Sequence, residues 1–196
     1  MKEILFWTIV FDLLLSNILL IVSIARPELR FWPPPDPSTW RYRVTRITGV
    51  FGPFVVVGIL VLGVLDSDSA MLMHPGRFLV GGILFAGGGG FALWGYLGLG
   101  LRASQGQYEG LIASGAYHYS RNPQYVGTMV SFLGYAIACN SLLTFVTWAI
   151  WSAWFVMAPF AEEPWLREKL GPAYEEYAAE VPRFLGWRRV RTRTGA

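Results

Sequence analysis

Residues 125–161 read YVGTMVSFLGYAIACNSLLTFVTWAIWSAWFVMAPFA. Two apolar runs, Tyr125 to Ala138 and Leu142 to Ala161, are separated only by Cys139-Asn140-Ser141. A run of about 20 residues rising 1.5 Å each matches the roughly 30 Å hydrocarbon thickness of a bilayer. Three intervening residues leave room for nothing but a tight turn, so the two runs predict an antiparallel helical hairpin in a membrane. Three more apolar blocks precede it: Ile4 to Ile24, Ile47 to Leu65 and Phe78 to Leu101. The fold expected is therefore an all-α integral membrane bundle of about five transmembrane helices. Composition agrees, because 54% of the 196 residues are apolar and only 15% charged, a balance that excludes a water-soluble domain. The first block is too long for a signal peptide, contains Asp12 and lacks a small-x-small cleavage pattern, so it reads as a retained span.

Basic residues predict the orientation, since Lys and Arg near span ends stay on the cytoplasmic side. Arg26, Arg30, Arg41, Arg43 and Arg46 fill the first loop, and Arg102 and Arg121 the third. Arg167, Lys169, Arg183, Arg188, Arg189, Arg191 and Arg193 fill the tail. The second loop sets only Arg77 against Asp66 and Asp68. The amino terminus is expected outside and the tail inside, in the inner membrane of a bacterium or the endoplasmic reticulum of a eukaryote. The net charge of +3 reads as topology and attraction to anionic headgroups, with no nucleic-acid partner implied. Cys139 is the single cysteine and His74 and His118 the only histidines, which argues against a disulfide and against a metal site.

Phe31-Trp32-Pro33-Pro34-Pro35-Asp36-Pro37 cannot be helical and reads as a cytoplasmic linker at the headgroups. Trp32 and Trp40 suit the interfacial aromatic belt, with substrate contact as the alternative. In the third span Gly81-Gly82 and Gly87-Gly88-Gly89-Gly90 allow close helix packing, or else leave room for a cofactor or lipid chain. No strand precedes these glycines, so they are not a dinucleotide fingerprint. Beyond Pro164, Leu166 and Leu170, then Tyr174, Tyr177 and Val181, predict two short amphipathic helices in the interface, broken at Gly171-Pro172. One membrane-embedded unit is expected over 1–196, with scaffold spans in 1–77, a core in 78–185 and a basic tail in 186–196.

The densest cluster of polar and special residues runs from Ser114 to Gly127. It contains Gly115, Tyr117, Arg121-Asn122-Pro123, Tyr125 and Gly127, and Glu162-Glu163 follow two spans later. Gly171, Tyr174, Tyr177 and Val181-Pro182-Arg183 complete the series. This ordered set resembles the isoprenylcysteine carboxyl methyltransferase and phospholipid methyltransferase superfamily over about residues 80 to 185. Asn122 to Gly127 followed by Glu162-Glu163-Pro164 also resembles the phosphatidylethanolamine N-methyltransferase branch.

The resemblance implies a methyltransferase that uses S-adenosyl-L-methionine on a lipid or lipophilic acceptor. It implies a cofactor pocket made by the stretch Leu111, Ile112 to Ser114, by Tyr117, Asn122, Pro123 and Tyr125, and by Glu162 and Glu163. Such a cofactor carries a sulfonium, an ammonium and a carboxylate, so aromatic faces, acids and free backbone donors suit it. The helix beginning at Asn122-Pro123 favours an anion by its dipole. Glu162 is the candidate for steering or deprotonating an acceptor amine. Arg121 and Arg183 are the candidates for holding a carboxylate acceptor. Carboxyl methyltransferases of the family carry an Arg shortly before the acidic pair, whereas this chain reads Val156-Met157-Ala158-Pro159-Phe160-Ala161. That departure favours an amine, first a phospholipid headgroup, over a carboxyl or thiol acceptor.

The acidic pair has a second reading, in which it pairs with Arg121 or starts the helix after Pro164. Asp12, mid-span, is a functional suspect by default, with packing against Asn17 or another neighbour the alternative. His118 lies inside the motif, where solvation competes with catalysis. A non-enzymatic binding or transport module stands as the reading from another class.

Overall fold

A computed structural model of the chain describes residues 1–70, 74–100 and 110–186. Leu101, Arg102 and the tail arginines from Arg188 onward lie outside the described residues. The described residues form six α-helices and two short 3-10 turns, with no strand among them. α1 (Lys2–Ala25) stops at Arg26, because the residue before a proline is steered out of helical conformation. A 3-10 turn, Pro27–Leu29, and the proline-rich run lead to α2 (Trp40–Leu65), which Thr39 caps by accepting the Tyr42 N–H at 3.3 Å. α3 (Gly76–Leu99) is followed by the 3-10 turn Gly115–His118 and by α4 (Pro123–Cys139). α4 begins on a proline, where no helical donor is lost. It ends at Asn140, which takes the left-handed conformation at φ 52° and so makes the tight hairpin turn that three residues demanded. Ser141 then caps α5 (Leu142–Leu170) by accepting the Thr144 N–H at 3.1 Å.

α5 departs from expectation. It runs through Pro159 and Pro164 without a break, and only α6 (Pro172–Glu180) stands as a separate short helix beyond Gly171. Each internal proline removes one helical donor. Buried Ala158 and Ala161 on one side and Trp165 and Leu166 on the other hold the helix together across that defect. Glu162 and Glu163 therefore do not sit at a helix end. They lie eight and seven residues inside it, away from the negative pole of the dipole.

α1, α2, α3 and α5 are each long and apolar enough to cross a membrane. α4, with 17 residues, is about 26 Å long and a little short of the hydrocarbon thickness. Large apolar side chains such as Trp7, Phe11, Phe54, Phe78 and Leu97 are exposed around the bundle, as lipid contact requires. The protein is an all-α membrane bundle.

Small residues set the tightest packing, between α3 and α4. A Cβ on Gly88 would stand 2.5 Å from the Ser131 backbone nitrogen, and one on Gly81 would stand 2.6 Å from the Gly134 carbonyl oxygen. Close backbone approach replaces the hydrophobic drive that lipid removes. Gly82, Gly87 and Gly90 face open space, so only one side of the glycine-rich run serves packing.

The two ends of the bundle differ. At one end Asp66, buried just after α2, accepts from Lys2 at 2.9 Å, Ser69 at 2.6 Å, Ser141 at 2.8 Å and the Leu143 N–H at 3.2 Å. Burial alone would raise the Asp66 carboxyl, but these four donors outweigh it and hold the pKa at about 2. The other end gathers the first loop, the start of α4 and the segment beyond α5, and the motif residues lie there.

Candidate active site

Consecutive residues on a helix point about 100° apart, and the acidic pair of α5 uses that divergence. Glu162 turns toward α4 and the first loop. The Tyr125 hydroxyl and the Trp32 indole N–H both donate to Oε1 of Glu162, a carboxylate 5% exposed. Trp154 stacks obliquely on Trp32 with ring centroids 5.5 Å apart, and Tyr125 packs on Phe155 at 5.3 Å. The result is an acid set in aromatic walls, with two donors fixing one oxygen.

Glu163 turns the other way, into arginines. Arg183 holds it with two parallel bonds, Nε to Oε1 at 2.7 Å and Nη2 to Oε2 at 2.8 Å. Arg121 approaches Oε1 at 3.3 Å and Arg167, one turn on, approaches Oε2 at 3.6 Å. The Glu163 hydrogen bond raises the Arg183 pKa above its ordinary value. The guanidinium of Arg183 also lies 4.2 Å from the centre of the Phe160 ring. Backbone contacts reinforce the closure: the Arg121 N–H donates to the Pro182 carbonyl at 2.9 Å, and the Asn122 side chain donates to the Arg183 carbonyl at 2.8 Å. Arg-Asn-Pro and Val-Pro-Arg, 60 residues apart in the chain, are thus one fastening.

Tyr117 is buried in the 3-10 turn, and its carbonyl accepts the Tyr177 hydroxyl at 2.8 Å. Burial, then the neighbouring Tyr177, Glu162 and Tyr96, push the Tyr117 phenol far above its usual value, so it is a neutral hydroxyl at any working pH. Leu111 and Ala113 pack on the cluster of Trp165, Leu166, Tyr174, Tyr177 and Val181, while Ser114 is exposed. Pro123 is fully buried at the start of α4, and no side chain caps that helix end. Tyr125 and Glu162 meet directly, and Tyr117 lies near them. Asn122, Arg121, Arg183 and Glu163 are drawn together instead in the arginine fastening.

Trp32 is the residue that sequence reasoning placed elsewhere. Trp40 is exposed, as an interfacial residue should be, but Trp32 points inward onto Glu162. The only signal was its place directly before the prolines, which prevent a helix and let the loop fold back over the bundle. Trp32, Tyr125, Trp154 and Phe155 also line a cavity of about 340 Å³ that extends between α1 and α2.

The family described as phospholipid methyltransferase matches residues 76–173, half of the chain, and the protein belongs to that family. No curated protein and no solved structure gives a match. The matched span contains α3, the motif turn, α4, α5 and both glutamates. Family and fold together define a membrane methyltransferase class. The fastening residues Pro182 and Arg183 fall just beyond the match, and Trp32 far before it.

Proposed function

We propose that this protein transfers a methyl group from S-adenosyl-L-methionine to the amine of a lipid, with a phospholipid headgroup as the first candidate. The observation that carries the reading is the buried Glu162, held by Tyr125 and Trp32 at the edge of an aromatic-walled cavity. The residues fit the methyl donor: an acid and several aromatic rings suit its cationic centre, and the uncapped start of α4 suits its carboxylate. Leu111 to Ser114, Tyr117, Pro123 and Tyr125 would hold it. When bound, S-adenosyl-L-methionine supplies a methyl group on a positively charged sulfur, which departs as a neutral thioether once a nucleophile has taken the methyl.

An ammonium cannot act as that nucleophile until it loses a proton. Tyr125 stands between the cavity and Glu162, so its oxygen takes the proton as its own passes to Oε1 of Glu162. Arg121 and Arg183 would be needed to hold a carboxylate acceptor, and both are committed to Glu163, which favours the amine. The basic end of the bundle, where this site lies, is read as cytoplasmic.

Reconstitution with phosphatidylethanolamine and methyl-labelled donor tests the reading. Label in the lipid headgroup supports it, and unlabelled lipid beside a labelled small ester or thioether overturns it.

A further inference from the structure

The cavity beside Tyr125 does not end there. It follows one face of α1 from Leu20 to Asp12, through Leu19, Ser16 and Leu13. The eight residue steps from Leu20 to Asp12 correspond to about 12 Å along the helix, from the level of Tyr125 to the middle of the span. α2 supplies the opposite wall, with Thr45 and Thr48 near the Trp32 end and Val55 and Val56 toward the Asp12 end. The volume of about 340 Å³ is at the small end of the roughly 300–1,000 Å³ of small-ligand pockets. That volume is enough to take a single alkyl chain.

Its inner end is polar where a site for a plain hydrocarbon tail would be apolar. Asp12 and Ser16 stand there one helical turn apart. Among the described residues Asp12 makes no hydrogen bond and no ion pair, and no Lys, Arg or His lines the slot. Asn17 does not serve it either: its side chain donates to the Leu13 and Ile150 carbonyls at 2.7 and 3.2 Å, tying α1 to α5. A carboxyl at mid-membrane depth costs about 3 kcal/mol to place there, which favours a cationic partner.

We propose that the slot binds a single-chain lipophilic amine lengthwise, with its ammonium against Asp12 and its other end beside Trp32 and Tyr125. This site rests on the reading of Tyr125 as the reacting end only for what happens to the outer end of the ligand. Binding to Asp12 stands apart from it. Such an amine would compete with the methyl acceptor for the space beside Trp32 and Tyr125.

Binding rather than turnover tests this. Native mass spectrometry of the purified full chain in detergent would be read with decylamine, decanol and decanoate as probes. The amine should be retained at least tenfold more tightly than the alcohol, and the carboxylate least. Asp12→Asn should remove the preference for the amine. Gly52→Phe should abolish retention of all three probes, because Gly52 faces the slot and a Cβ there meets nothing within 4 Å. If Gly52→Phe does not fold, Val56→Trp narrows the same wall. Equal retention of amine and alcohol, or an unchanged preference in Asp12→Asn, overturns the proposal. Asp12-dependent retention without any methyl transfer would leave the slot standing and bring down the proposed function, and lipid methylation without amine retention would do the reverse.

Discussion

Arg183 grips Glu163 through two parallel hydrogen bonds, and this single pair joins the segment after α6 to the last third of the longest described helix. Removing one partner of a buried pair costs about 3–5 kcal/mol, because the other charge is left without compensation. Glu163→Ala leaves three arginines facing one another, but Arg183 and Arg167, 31% and 41% exposed, can regain water, so the variant should lose about 1–3 kcal/mol of stability. Proteolysis of the detergent-purified variant should cut near Val181 to Arg183 well before the bundle itself is lost. Equal protease resistance of variant and parent would contradict the fastening.

Glu162 makes a different prediction. Glu162→Gln keeps shape but cannot accept a proton, so it should lower kcat by about 100-fold or more, within the range of general base effects. Tyr125→Phe should match it, since the proposed path runs through that hydroxyl. Trp32→Phe removes a donor to Oε1 without breaking the path and should cost about tenfold. Rate measurements at saturating donor separate these losses from weakened cofactor binding.

The helix contact between α3 and α4 predicts a position-dependent response to the same change. Gly88→Val and Gly127→Val force the backbones apart and should each cost at least the 1–3 kcal/mol typical of overpacking. Gly87→Val and Gly90→Val point into open space and should be nearly neutral. Thermal unfolding in detergent measures the contrast.

Asp66 predicts acid sensitivity at the opposite end of the bundle. Its folded pKa of about 2 lies below the ordinary 3.8, so its contribution is complete above about pH 4 and lost as pH falls toward 2. That contribution is about 2 kcal/mol at most. Melting temperature against pH should fall across this window in the parent and flatten in Asp66→Asn.

The bundle was legible in the sequence because membrane spans announce themselves by length and composition, and the Asn140 turn because three residues allow little else. Pro164 misled, since a proline reads as a stop only when neighbours do not hold the helix on both sides. The motif identified the residues but not their partners. Two adjacent glutamates look alike in a sequence, and only the helix geometry sends one to Tyr125 and the other to arginine. Trp32 was illegible because its role depends on how a non-helical loop returns over the bundle, which no periodicity encodes.

The unbroken course of α5 has a mechanical consequence. Glu162 and Glu163 ride on one rod, so the arginine grip on the second fixes the rotational setting of the first. A turn of the rod by about 100° would carry Glu163 toward the place Glu162 now holds. The basic fastening therefore works as an angular lock, and whatever loosens it outside the membrane is felt as misalignment beside Tyr125.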